Sequence, residues 1–203
     1  MKNNNLETRN IDASSFEVRQ DDNGDMFIEG YASVFDSRSK NLGGFYEYID
    51  RSAFENTDMS NTVALINHSN DYVLGRSPQT LQLEVDERGL KYKLQLGNQS
   101  YARDLYESIQ RGDINSSSFA FTIAKGGDTW EKRDGEVIRT ISSIDTLYDV
   151  SPVTTPAYAS ASVSARSLEQ AESLTDKKEE IKEVTPKSYY QKLKLRLLKK
   201  KNK

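Results

Sequence analysis

The stretch TLQLEVDERGLKYKLQL, residues 80–96, is the segment that decides the fold class. Apolar and polar residues alternate along its first half and again along its second half, which is the pattern of two strands that each bury one face. Glu87-Arg88-Gly89 separates the two halves, and polar residues followed by a glycine are typical of a turn. The alternating apolar residues are Leu81, Leu83, Val85, Leu90, Tyr92, Leu94 and Leu96. The sequence therefore predicts a β-hairpin here.

Further strands are predicted on both sides of this hairpin. Upstream, residues 16–19 and 26–35 alternate around a polar turn, and residues 45–49 form a shorter strand pattern. The run TVALINH, residues 62–68, is apolar and has the length of a buried strand. Downstream, residues 129–144 predict a second hairpin. The chain is therefore predicted to be rich in strands from end to end of its folded part.

One amphipathic helix interrupts these strands at residues 99–113. Tyr101, Leu105 and Ile109 share one face of it, and Gly112 ends it. A second, shorter helix is predicted to begin at Asp50 or Ser52. Many strands with one or two helices predict a mainly β fold, an antiparallel barrel or sandwich with flanking helices.

The charge distribution separates the end of the chain from the rest. Residues 177–203 contain 11 Lys or Arg and three acidic residues, so their net charge is about +8, whereas the other 176 residues carry about −11. Beyond residue 166 the sequence has no glycine and few large apolar residues before Tyr189. We therefore predict a flexible N-terminus at residues 1–13, a folded domain at 14–165, and a basic tail, disordered or helical, at 166–203.

The composition excludes several classes of protein. The 203 residues include no cysteine, which excludes disulfide bonds, thiolate catalysis and thiolate metal sites. No run of 18 apolar residues exists, so no membrane-spanning helix is predicted. The opening MKNNNLETRN lacks the apolar core of a secretory signal. These features are typical of a protein in a reducing, intracellular compartment.

Three stretches contain the residues that could carry chemistry. His68 is the only histidine, and it is either a structural residue or a general base, the role for which neutral imidazole is best suited near pH 7. Ser116, Ser117 and Ser118 run directly into an apolar strand, where they form either a polar turn or hold a nucleophile that needs such a base. Asp149 lies inside a second apolar strand, where an unpaired carboxylate would be costly. It is either an acid at an exposed strand end or the residue that orients the imidazole.

Four blocks of the sequence, in this order, resemble the motif blocks of the caudovirus prohead maturation proteases. These are serine peptidases of tailed phages, similar in fold to the herpesvirus assemblins. The blocks are IEGYASVFDS…GGFYEYIDRSAF, NHSNDYVLGR, INSSSFAF and LYDVSPVTTPAYASA. The resemblance spans about residues 16–161 and implies a β-barrel surrounded by α-helices.

The resemblance also implies roles for individual residues. His68 matches the catalytic histidine, and Ser118 matches the nucleophile because it precedes the aromatic-small-aromatic triplet at residues 119–121. Ala120 stands where the family often has glycine, and Ser117 is the competing nucleophile. No metal or organic cofactor is implied.

The third catalytic residue and the oxyanion hole are less defined by the resemblance. Asp149 fits the third position by its place in the last block, with Asp71 as its rival. Assemblins use a second histidine at this position, which this chain does not contain. Gly75, Arg76 and the residues that flank Ser118 are the candidates for the backbone donors of an oxyanion hole.

The implied function is that of a serine endopeptidase of prohead maturation. Such an enzyme would act inside the immature phage capsid in the host cytoplasm, where it would cleave the scaffold, the major capsid protein and itself. Self-association into a dimer or higher oligomer is left open. The alternative is a catalytically idle assembly factor with the same fold. A third reading is a nucleic-acid binder that uses residues 189–203, which we disfavour because the acidic body would repel phosphates.

Overall fold

The computed structural model describes residues 6–11, 16–154 and 165–175. Twelve strands and two α-helices lie within these ranges. In chain order, the elements are β1 (Glu7–Ile11), β2 (Glu17–Gln20), β3 (Met26–Val34), β4 (Phe45–Ile49), a 3₁₀ turn (Arg51–Phe54), β5 (Val63–Ile66), β6 (Ser69–Arg76), β7 (Leu81–Val85), β8 (Gly89–Gln95), α1 (Ser100–Gln110), β9 (Ser116–Ile123), β10 (Asp128–Arg133), β11 (Glu136–Ile141), β12 (Ile144–Val153) and α2 (Ala165–Thr175). The mainly β fold that the sequence predicts is confirmed.

The predicted hairpin at residues 80–96 is confirmed as strands β7 and β8. Leu81 pairs with Leu94 and Leu83 pairs with Tyr92, so the alternating apolar residues lie on one face. The Asp86 carboxylate accepts the backbone N–H groups of Arg88 and Gly89 and so closes the turn. This hairpin belongs to a four-stranded sheet in the order β2-β3-β8-β7.

A five-stranded sheet in the order β1-β9-β12-β5-β6 packs on this first sheet. Its strands pair antiparallel except β12 and β5, which are parallel. The buried residues of both sheets and of helix α1 form one apolar core, which includes Ile28, Leu90, Leu94, Ala102, Leu105, Ile109, Phe119, Phe121 and Val150. The predicted helical face holds at Leu105 and Ile109, while Ala102 is buried and Tyr101 packs at the edge of the core.

A three-stranded sheet in the order β10-β11-β4 completes the fold. Its hairpin β10–β11 is the one predicted at residues 129–144, and β4 joins it in parallel register. Phe45 and Val137 are buried beneath Ala171 of helix α2, which covers this sheet. Within the described ranges none of the three sheets closes on itself, so the predicted barrel is not confirmed.

Strand β1 lies within residues 1–13, for which the sequence predicts a flexible N-terminus. It pairs antiparallel with β9, from Glu7 opposite Phe121 to Ile11 opposite Ser117. The polar sequence of this segment is compatible with a strand because Glu7 and Arg9 are buried among opposite charges. A charged side chain gives no sign of burial when its partners lie far along the chain.

Helix α2 lies where the sequence predicts the start of the basic tail. Besides the contact of Ala171, the Ser167 hydroxyl donates a hydrogen bond of 2.8 Å to Glu7. These contacts attach residues 165–175 to the sheets. The rest of the predicted tail, residues 176–203, lies outside the described residues. None of the helices that the structure describes is both long enough and apolar enough to cross a membrane.

Candidate active site

The three serines at residues 116–118 form the first part of strand β9, which lies between β1 and β12 in the five-stranded sheet. Successive side chains of a strand point to opposite faces, so Ser117 and Phe119 share one face and Ser118 lies on the other. Phe119 belongs to the apolar core between the sheets. Ser118 therefore lies on the face of the five-stranded sheet that points away from this core.

The orientation of β9 separates the two candidate nucleophiles. The Ser117 hydroxyl lies 3.2 Å from the Tyr92 hydroxyl, and both groups are buried in the core. Burial raises the pKa of Tyr92, so its hydroxyl stays protonated and pairs with Ser117 as a neutral group. Ser118 instead faces the only histidine of the chain. The structure brings Ser118, and not Ser117, to His68.

His68 lies in the two-residue turn that joins β5 to β6. Ile66 pairs with Ser69 across this turn, and Asn67 and His68 both have positive φ, 53° and 58°. Such a turn matches the twist of the flanking strands, and asparagine is one of the residues that tolerate it. The backbone of the turn is held by strand β12, because Asn67 N–H donates to the Pro152 carbonyl at 3.1 Å. The turn thus places the imidazole over the face that carries Ser118.

The imidazole of His68 connects Ser118 to Asp149. Its Nε2 lies 2.6 Å from Ser118 Oγ, and its Nδ1 lies 2.6 Å from Asp149 Oδ1. An ionised carboxylate only accepts hydrogen bonds, so the contact with Asp149 places a proton on Nδ1. In the neutral ring Nε2 is then the free base that faces the hydroxyl. Hydroxyl, imidazole and carboxylate in this order form the arrangement of a Ser-His-Asp triad.

The hydroxyl of Ser118 has a second acceptor besides His68. The backbone carbonyl of Arg9, in strand β1, lies 2.9 Å from Ser118 Oγ. A hydroxyl has a single proton to donate, so with Nδ1 of His68 protonated Ser118 can donate to Nε2 or to Arg9, but not to both. Ser118 is 0% exposed, whereas the His68 side chain is 24% exposed. Strand β1 therefore competes with His68 for the proton of the buried hydroxyl.

The position of Arg9 is fixed by a buried ionic cluster formed by Glu7, Arg9, Glu47 and Arg139. Arg9 pairs with both Glu7 and Glu47, and Arg139 pairs with the same two carboxylates. Burial alone would raise the pKa of Glu7, but Arg9 and Arg139 outweigh this effect and lower it to about 2. Burial tends to lower the pKa of Arg9, while Glu47 and Glu7 raise it above its usual range. Glu7 and Arg9 are therefore both charged at neutral pH.

Within the described residues, Asp71, Gly75 and Arg76 form no hydrogen bond with Ser118 or His68. Asp71 is exposed on β6, and its backbone N–H bonds to Ser69 Oγ. Gly75 and Arg76 also lie on β6, which is the third strand from β9 in the sheet. At a strand spacing of about 4.8 Å, their backbone lies about 14 Å from β9. Oxyanion-hole donors at Gly75 and Arg76 are therefore not supported.

Two residues that the sequence did not single out complete the surroundings of the site. Ser151 is fully buried and contacts both His68 and Asp149. Asn67 accepts the backbone N–H of Thr154 at 3.0 Å and thus connects the turn to the end of β12. The spacing of Ser151 two residues after Asp149 is the one signal that would have found it, because such residues share a strand face. Within the described part of the chain, no group of three or more His, Asp or Glu side chains is arranged to hold a metal ion.

Comparison with known proteins identifies a family and a solved structure of similar fold. The family model described as caudovirus prohead serine protease matches residues 14–175. The structure of the bacteriophage T4 capsid assembly protease, gp21, is similar with a TM-score of 0.49 and 10% sequence identity; the match covers 74% of this chain and 98% of that chain. No protein of curated function matches the sequence.

Proposed function

Because the chain belongs to the family of caudovirus prohead serine proteases, we propose that it is a serine endopeptidase that matures the prohead of a tailed phage. The observation that carries the proposal is the continuous contact from Ser118 through His68 to Asp149, at 2.6 Å on both sides of the imidazole. In this reading Ser118 is the nucleophile, His68 the general base, and Asp149 the residue that orients the base.

The reaction would proceed by acyl transfer. Nε2 of His68 takes the proton of Ser118 as Oγ attacks the scissile carbonyl carbon, and the imidazolium then gives that proton to the leaving amine. Water, deprotonated by the same nitrogen, releases the acyl group and restores Ser118. Asp149 keeps the second proton on Nδ1 and stabilises the imidazolium by its charge.

Strand β1 would have to yield its contact with Ser118 during this reaction. The Arg9 carbonyl occupies a hydrogen-bonding position on Oγ, and the hydroxyl is fully buried. The proton moves to His68 only when Ser118 stops donating to Arg9. A substrate would approach Ser118 from the exposed side of His68.

We propose the scaffold, the major capsid protein and the enzyme itself as substrates, cleaved inside the immature capsid. The opposite charges of the two parts of the chain, about −11 and about +8, support separate roles for them. The basic residues 177–203 would attach the enzyme to an acidic partner during shell assembly. A segment tethered to its own protease is present at an effective concentration of about a millimolar, so self-cleavage is expected between residues 161 and 185.

A second candidate function is a catalytically idle assembly factor. The observation that favours it is the complete burial of Ser118 beside strand β1, with its hydroxyl hydrogen-bonded to the Arg9 carbonyl. In that case the triad-like contacts would serve stability alone. The two candidates differ in whether a peptide bond is broken.

The mass of the expressed protein tests this difference. The full-length chain and its Ser118→Ala variant are each produced with the cognate major capsid protein, and the intact masses of all chains are measured. For a peptidase we expect shortened products with the wild type and intact chains with the variant, followed by N-terminal sequencing of the fragments. Identical masses in both cultures would leave the assembly factor as the better reading.

A further inference from the structure

Ser151 forms contacts to both partners of the acid–base pair. Its Oγ donates a hydrogen bond of 2.8 Å to Asp149 Oδ1, the same oxygen that lies 2.6 Å from His68 Nδ1. The same Oγ accepts the backbone N–H of His68 at 3.3 Å. One hydroxyl thus joins the carboxylate to the turn that carries the imidazole. Nothing in the proposed reaction requires Ser151 to touch a substrate.

The place of Ser151 in the sheet makes this contact rigid. Ser151 lies on β12, two residues after Asp149, and pairs directly with Ser118 of β9. It is fully buried at the centre of the five-stranded sheet, so its rotamer is restricted by packing. Asp149 is 8% exposed and needs hydrogen-bond donors to remain charged inside the protein. Ser151 supplies one of them.

The hydrogen bonds of Ser151 also affect which nitrogen of the His68 imidazole carries the proton. Two groups could accept the hydroxyl proton of Ser151: Asp149 Oδ1 at 2.8 Å and His68 Nδ1 at 3.5 Å. The longer contact, to Nδ1, is the weaker one. Because that proton goes to Asp149 at 2.8 Å, Nδ1 stays free to donate its own hydrogen to the carboxylate. Nε2 is then the unprotonated nitrogen that faces Ser118.

The turn at Asn67 and His68 needs hydrogen bonds from neighbouring residues to hold its backbone conformation. Both residues have positive φ, which is costly for a side chain such as histidine. Strand β12 and the residue after it hold the turn at three points: the Pro152 carbonyl, the Ser151 hydroxyl and the N–H of Thr154. Among these only the Ser151 contact also reaches Asp149.

We propose that Ser151 is a positioning residue that aligns Asp149 with His68 and fixes the hydrogen on Nδ1 of the imidazole. The inference rests on the proposed function, since it assigns Ser151 a part in activating Ser118. A purely structural residue would affect only packing, whereas removal of the Ser151 hydroxyl should also change the hydrogen on Nδ1 of His68.

The test uses the full-length chain and an alkyl fluorophosphonate, which needs no knowledge of the natural substrate. Ser118 Oγ forms a bond to phosphorus, fluoride leaves, and the hydroxyl proton passes to His68. Ser151→Ala is expected to lower the labelling rate about tenfold to a hundredfold, the size of effect that a small misplacement of reacting groups produces. Ser117→Ala, which removes another fully buried hydroxyl of the same sheet, is expected to label at the wild-type rate.

Proton NMR gives a second readout that does not depend on activity. Because His68 is the only histidine, its imidazole signals need no further assignment. We expect a strongly downfield Nδ1 proton in the wild type and in Ser117→Ala, and its loss or upfield shift in Ser151→Ala. Ser151→Cys, which fills a similar volume with a weak donor, is expected to behave as Ser151→Ala does.

The outcomes are distinct. If Ser151→Ala and Ser151→Cys match Ser117→Ala in labelling rate and in the Nδ1 signal, the inference is wrong. A slower rate with an unchanged Nδ1 signal would also overturn it, because Ser151 would then act through packing alone. If Ser118→Ala is labelled as fast as the wild type, the proposed function fails, while the Nδ1 signal still decides whether Ser151 governs the His68–Asp149 contact.

Discussion

Nε2 of His68 lies 2.6 Å from Oγ of Ser118, although 50 residues separate the two in the chain. The hairpin turn between β5 and β6 supplies the imidazole, and the buried strand β9 supplies the hydroxyl. For a proton to pass between them, the hydroxyl of Ser118 has to turn from the Arg9 carbonyl to Nε2. This contact is why we expect mutation of either residue to have the largest effect on activity.

Loss of either member of the pair should abolish cleavage. We expect His68→Ala and Ser118→Ala each to lower the cleavage rate by roughly three or more orders of magnitude, because the base and the nucleophile act as one unit. Cleavage of the coexpressed capsid protein measures the rate, and circular dichroism checks the fold. Ser117→Ala is the matched control and should remain active. Loss of activity in Ser117→Ala with full activity in Ser118→Ala would mean that the nucleophile has been misassigned.

Asp149 should contribute less than the pair itself. Asp149→Asn keeps the shape of the side chain but removes its charge, and we expect the rate to fall by roughly two to four orders of magnitude. Asp71→Asn, at the exposed rival position on β6, should change the rate little. A kinetic comparison of the two variants separates them. Near-normal rates in Asp149→Asn would exclude Asp149 from the site.

The buried ionic cluster should make stability depend on acid pH through Glu7. The pKa of Glu7 is about 2 in the folded chain, against 4.5 for the unperturbed side chain. A carboxyl group whose pKa is lowered by folding stabilises the protein above its unfolded pKa, and this contribution is lost as the pH falls from 4.5 towards 2. We expect Glu7→Gln to be less stable than the wild type by about 3 kcal/mol at neutral pH, a difference that shrinks across this window.

Urea unfolding at several pH values measures this effect. Trp130 is the only tryptophan and packs on Phe45 in the sheet that contributes Glu47 and Arg139 to the cluster, so its fluorescence reports on this region. Glu136→Gln is the control, because its partner Arg38 and Glu136 itself are exposed and such pairs contribute little. A constant difference between wild type and Glu7→Gln from pH 7 to 2 would contradict the prediction.

Helix α2 should mark the end of the stable domain. Truncation after Thr175 keeps every described contact, and we expect its free energy of unfolding to equal that of the whole chain. Truncation after Arg166, the domain boundary predicted from sequence, removes Ala171 from Phe45 and Ser167 from Glu7. We expect this shorter chain to be less stable by roughly 2 kcal/mol, the value of a hydrogen bond to a buried charge together with some apolar burial.

Thermal and urea unfolding of the two truncated chains decide the boundary. Ser167→Ala in the full-length chain is the matched control for the hydrogen bond alone, and it should show part of the loss. Equal stability of both truncated chains would mean that α2 contributes nothing and that the domain ends at residue 166 or before. The fraction of each truncated chain in purified proheads tests the proposed targeting role of residues 177–203.

Local patterns predicted the strands that bury one clean apolar face, such as the hairpin of β7 and β8. The contacts among His68, Ser118 and Asp149 depend on strand order, which periodicity does not reveal; the family resemblance suggested these residues. Strand β1 and the Glu7–Arg9 contact were beyond prediction, because buried charged residues give the same pattern as exposed ones. The distance of Gly75 and Arg76 from Ser118 could not be predicted from sequence either, because it depends on β6 being the third strand from β9.

The strand order also sets when the site can exist during synthesis. His68 must wait for Asp149, 81 residues later, and β1, the first strand to be made, must wait for β9. At about 5–20 residues per second, translation needs about 4–16 s to pass from His68 to Asp149. A nascent chain can pair β1 with β9 once β9 has emerged, but it lacks the His68–Asp149 contact until β12 has emerged. The growing polypeptide therefore carries no complete triad until Asp149 has been made, so we expect no self-cleavage by this triad before that point.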